Sequence, residues 1–157
     1  HRALTAESIA ALAGRGMLDT SLLANELAYL LRGGWVKPIR AASCLQDAAS
    51  ISPLAGWRIV QVLENMLPMV GEINRGSALV QLLLQLAGEY GVSIKIPEVL
   101  QPKMKGSTVL AKNLRAFEKL LPHPTEHAEK ARQQAQNLLD KRLGRDITVE
   151  KEERNAN

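Results

Sequence analysis

The chain has 157 residues, about one domain's worth, with 46% apolar residues, 23% charged residues and a net charge of +4, a balance that excludes a disordered chain. A single cysteine, Cys44, excludes an internal disulfide framework and an all-cysteine zinc site. Aromatics make up only 3% while Leu and Ala abound, a bias toward helices over strands.

In chain order, "TAESIAALAGRG" reads as the first helix, and nothing before it has the pattern of a secretory signal. "DTSLLANELAYLL" follows, with Asp19 or Thr20 as cap, Leu22, Leu23, Leu27, Leu30 and Leu31 as its apolar set and Gly33-Gly34 as the stop. "KPIRAASCLQDAASI" starts at Pro38, suited to a first helical turn, and presents Ile39, Ala42 and Leu45. Cys44 on this helix reads as a small buried hydrophobe rather than a reactive thiol. "SPLAGWRIVQVLENMLPMVG" is capped by Ser52 and is apolar nearly all round, with Gly71 as its stop.

"SALVQLLLQLAGEYG" is more apolar still. Its longest unbroken run around Leu82 is three leucines, against the roughly 20 apolar residues that cross a bilayer. Gln81 and Gln85 share one face, so a core helix buried on several sides is expected, not an anchor. "GSTVLAKNLRAFEKLL", capped by Ser107, shows Val109, Leu110, Leu114, Phe117 and Leu121. A last helix runs from Thr125 to a stop at Gly144, which makes about seven helices.

Helices starting near Ser21 and Gly56 lie about 35 residues apart, and those near Ala41 and Ser77 about 36. Two pairs at one interval predict stacked antiparallel helical hairpins, an all-α, HEAT-like α-solenoid segment over residues 1–121, with a C-terminal helix and charged tail over 122–157.

From "LLANELAYLLRGGWVKPIRAASCLQDAA" through "WRIVQVLENMLPMV", "LVQLLLQLAGEYG", "IPEVLQ" and "GSTVLAKNLRAFEKLL", roughly residues 18–121, the chain resembles the C-terminal HEAT-like region of a family of uncharacterised bacterial multi-domain proteins. The resemblance implies a terminal piece of a cytoplasmic α-solenoid protein, and it implies no activity.

Catalytic and cofactor chemistry finds little support. "HPTEH" holds His123 and His127, but Pro124 breaks the helix between them and the spacing does not put two imidazoles on one helical face. "GEINRGS" has the glycine spacing of a phosphate loop without its lysine, and it follows a helix, not a strand. No carboxylate pair or nucleophile motif is apparent, so neither an enzyme nor a resident cofactor or metal is expected.

Charge is uneven. Residues 1–100 carry eight basic and eight acidic groups, and residues 101–157 carry twelve and eight. Lys103, Lys105, Lys112, Arg115 and Lys119 form a basic cluster, the last three sharing a helical face. The expected function is a non-catalytic protein-interaction scaffold. The alternative is nucleic-acid binding by this basic cluster. In "RLGRDITVEKEERNAN", Ile147 and Val149 alternate as in an extended segment, which predicts a tail docked on a helix of this chain or of a second copy in a homo-oligomer.

Overall fold

Thr5, Asp19, Ser52, Thr108 and Thr125 each offer a side-chain oxygen to a backbone N–H two or three residues on, and these caps fix five helix starts. The computed structural model describes the backbone of residues 4–156 and the side chains of residues 4–144. Within these residues lie α1 (Ala6–Arg15), α2 (Thr20–Arg32), α3 (Pro38–Ala49), α4 (Pro53–Met66), α5 (Ser77–Tyr90), α6 (Val109–Phe117) and α7 (Glu126–Ala156). Two 3-10 helices, Leu67–Glu72 and Glu98–Met104, complete the described structure, which has no strand. The expected all-α class and helix number are what is found.

The stops are as physical as the starts. At the end of α2 the Gly34 N–H donates to the Leu31 carbonyl at 3.2 Å and the Trp35 N–H to the Leu30 carbonyl at 3.0 Å, with Gly34 in the left-handed region at φ 74°. Such a closure needs a residue without Cβ at the turn and an apolar residue after it to fold back on the helix. The same logic ends α5, where Gly91 has φ 63° and Val92 follows.

α4 is the hub. It packs against α1, α2, α3, α5 and α7, while α1 lies on α3, α3 on α5 and α6 on α5, giving a helical bundle. α5 resolves as a core helix: Leu79, Val80, Leu82, Leu83, Leu86, Ala87 and Tyr90 are buried, and Gln81 and Gln85 face out. Among the described residues, no helix is long and apolar enough to cross a membrane.

Several local expectations are corrected. Thr108 rather than Ser107 caps α6, its Oγ1 accepting the Ala111 N–H at 3.1 Å. Gly71 does not stop a helix but lies inside the 3-10 turn that follows α4. Ile39 and Val109, assigned to apolar faces, are 70% and 61% exposed, and Leu121 is exposed as well. Each sits at or beyond a helix end, where helical periodicity continues but no neighbouring helix covers it.

Gly144 is the largest correction. It lies within the 31 residues of α7, and the helix passes through it. Gly34 and Gly91 are followed by Trp35, which turns back to stack on Tyr29, and Val92, which packs against the core, whereas Gly144 is followed by Arg145 and Asp146, so leaving the helix gains nothing. The segment holding Ile147 and Val149 is accordingly helical, not extended; whether those side chains dock lies outside the described residues. Replacing Gly144 with Ala is expected to raise stability by up to ~1 kcal/mol, because an interior glycine costs about that much relative to alanine. Circular dichroism and thermal melting check this, and a lower melting temperature would restore the glycine's role as a stop.

Tyr90 ties α5 to α4 and α7. Its hydroxyl donates to the Pro53 carbonyl, occupying the space that a side chain at Gly56 would need, and its ring meets His127 edge-on at 4.9 Å and Trp57 at 5.7 Å. Burial, with the Glu89 carboxylate adding to it, pushes the phenol up to about 12. The unfolded phenol ionises near ~10, so the neutral form stabilises the fold below that value and the contribution disappears as pH rises through about 12. The melting temperature is therefore expected to fall between these values, and less in Tyr90→Phe than in the parent. Equal alkaline slopes in the two proteins would refute the assignment.

Candidate functional site

The five residues of the predicted basic cluster are all exposed, but they do not act alike. Lys103 lies in the second 3-10 helix, Lys105 caps its end, Lys112 and Arg115 are on α6, and Lys119 follows α6. Arg115 is a clasp. Its Nη1 donates to the Met104 and Gly106 carbonyls at 2.7 Å each, locking the connection between the 3-10 helix and α6. Lys103 and Lys105, with Arg75 and Thr108, line a cleft of about 730 Å³ between the two 3-10 segments. Lys112 and Lys119 do not line it.

Arg75 enters this cleft from an unusual backbone. At φ 60° it is the one non-glycine residue with positive φ among those described. That region disfavours a residue with Cβ by about 1–2 kcal/mol, and the adjacent Gly76, which would tolerate it, is not the residue placed there.

A second site was not anticipated from the sequence. Past the α2 stop, the Trp35 ring stacks on the Tyr29 ring with centroids 5.1 Å apart and planes 24° from parallel. The pair stands on the surface, Trp35 65% and Tyr29 54% exposed. Gly33 makes this possible, since a Cβ there would fall 1.9 Å from the Trp35 ring. With the rings, half-buried Leu4 and Val36 and buried Ala6 and Leu30 form the apolar lining of a groove of about 610 Å³. Its rim holds Glu7 and Arg40, paired at 3.0 Å, and Lys37. The Arg40 guanidinium hydrogen-bonded to Glu7 lowers that carboxyl below its ordinary value. The signal in the sequence was present but local: an aromatic directly after a Gly-Gly helix stop, with a second one six residues earlier.

Elsewhere chemistry is sparse. Cys44 is half-buried, and burial first, then the nearby Glu7 carboxylate, push its thiol up, away from the thiolate a nucleophile needs. His123 is exposed and His127 packs on Tyr90. Among the described residues, no group of three or more His, Cys, Asp or Glu side chains converges as metal ligands would. Comparison with known proteins finds no matching family model, no matching curated protein and no matching solved structure.

Proposed function

We propose that the chain is a non-catalytic protein-interaction scaffold, a stacked-hairpin, HEAT-like segment of a larger bacterial protein working in the cytoplasm. The observation that carries this reading is the Tyr29–Trp35 stack lining an apolar groove. Large exposed aromatics beside an aliphatic lining are what interface centres are built from, and burying such a pair contributes far more than the surrounding polar contacts. The succession of α1, α3 and α5, with α2 on α4, supports the stacked arrangement, and such arrays present extended faces to partners.

A photo-crosslinking residue placed at position 35 tests it. Covalent capture of a protein from cell lysate that competes with excess parent chain, and that Tyr29→Ala weakens, is the expected result. Capture that is absent, or indifferent to Tyr29, overturns the proposal.

Nucleic-acid binding is the second reading, favoured by the cleft that gathers Arg75, Lys103 and Lys105. It requires affinity for DNA or RNA that falls steeply with salt and is lost on reversing Lys103 and Lys105. Arg115 is left intact in this test, because its clasp on Met104 and Gly106 would confuse binding with folding.

A further inference from the structure

The two grooves are linked by a third hollow that shares lining residues with each. Val36 and Lys37 line both the aromatic groove and a neighbouring cavity of about 300 Å³ under Ile39. That cavity in turn shares Asn74 and Arg75 with the basic cleft. Taken in order of these shared residues, the three hollows form a surface path from the Tyr29–Trp35 stack, past Lys37 and Arg75, to Lys103 and Lys105.

Charge along this path is one-sided. Its two carboxylates are already engaged, Glu7 with Arg40 and Glu72 with Arg32 at 3.0 Å. Among the described residues, no ion pair takes Lys37, Arg75, Lys103 or Lys105. The open end of the path is thus a row of cations and the other end an apolar seat, and an occupant complementary to both is acidic along most of its length with aliphatic side chains at one end.

Resting on the scaffold reading above, we propose that the partner is an extended acidic segment of a protein, its aliphatic end seated against the Tyr29–Trp35 stack and its carboxylates on Lys37, Arg75, Lys103 and Lys105. A single nucleic-acid strand is the less favoured occupant. Strand-binding grooves line up successive aromatic platforms, and here one stacked pair is followed only by cations. The other Trp and Tyr are committed to packing around α4 and α5. The aliphatic lining of the first groove also suits a leucine-sized side chain better than a polar base edge.

Arg75 supplies a control that separates binding from stability. Glycine relieves the left-handed backbone, so Arg75→Gly removes a cation from the path without lowering the melting temperature.

The probe is a fluorescein-labelled peptide of about twelve residues, three leucines followed by glutamates spaced with serine, made in both chain directions; extended, it spans ~40 Å, about the breadth of a domain this size. Fluorescence anisotropy is expected to show binding in one direction that weakens about tenfold in Trp35→Ala and about tenfold in Lys103→Glu/Lys105→Glu. Arg75→Gly weakens it too, with the melting temperature unchanged or higher. Replacing the glutamates with lysine, or the leucines with serine, abolishes it, and raising salt from about 0.05 to 0.5 M weakens it.

Failure of both peptides while Trp35-dependent lysate capture persists overturns the acidic-partner chemistry and leaves the scaffold reading standing. Loss of capture as well overturns both. Oligothymidylate binding tighter than the peptide through the same side chains assigns the path to nucleic acid. Sedimentation showing a dimer that Trp35→Ala dissociates assigns it to a second copy of the chain.

Discussion

Replacing Gly91 with alanine is expected to lower the melting temperature by about 10 °C, which corresponds to ~3 kcal/mol for a chain of this length. Two effects add. Gly91 sits at φ 63°, where an alanine is disfavoured by about 1–2 kcal/mol. A Cβ there would also fall 2.0 Å from the His123 carbonyl oxygen and 2.8 Å from the Thr125 methyl. The obstacle is backbone, so it cannot rotate away as a side chain would. The His123 N–H meanwhile donates to the Gly91 carbonyl at 2.9 Å, so the end of α5 and the approach to α7 are held face to face. Inserting one methyl group forces them apart and loosens Ala128 and Ala131 from the core they join. A melting temperature within about 2 °C of the parent would show that this contact has room to relax.

Truncating Phe117 to alanine is expected to destabilise the protein by about 3–5 kcal/mol, the range for deleting a fully buried aromatic ring. Phe117 is the chain's one phenylalanine and is 2% exposed. It is also the main reason α6 exists: nine residues are too few for a helix to persist in water, and α6 holds only by burying Ala111, Leu114 and Phe117. Urea unfolding checks the magnitude. A loss below ~1 kcal/mol would mean that α6 collapses onto the vacated space, in which case the Arg115 bonds to Met104 and Gly106 would also have to shift.

Much of this bundle is legible in the residues themselves. Ser52-Pro53, Pro38 and Gly33-Gly34 act through local backbone chemistry, so the boundaries they imply are the ones found. The all-round apolar character of the segment at Leu82 translates directly into a core helix. Where the reading fails, the missing information is tertiary. Ile39 and Val109 keep helical phase with buried neighbours but stand at ends that nothing covers. Gly144 looks like other helix stops until the residue after it is asked what it would bury. The basic cluster is visible as composition, yet only the fold distinguishes Arg115, spent on two carbonyls, from Lys103 and Lys105, which are presented to solvent in a cleft. The Tyr29–Trp35 groove is hidden for the same reason. Its lining and rim come from α1, α2 and α3 together, and no window of sequence contains all three.

The hub position of α4 has a consequence for how the chain reaches this structure. The Gln134 Oε1 accepts the Leu54 N–H at 3.0 Å across 80 residues of sequence, beside the Ser52 cap on the Ala55 N–H. Helices α1 to α3 can assemble with α4 from nearby chain alone, but the face of α4 that meets α7 stays wet until the whole intervening segment has been threaded past it. The search therefore ends with a long loop closure, the slow kind of step in otherwise local, fast-folding helical topologies. Until α7 arrives, a translating or refolding chain exposes that face of α4, and during that interval it is most open to association with the wrong surface.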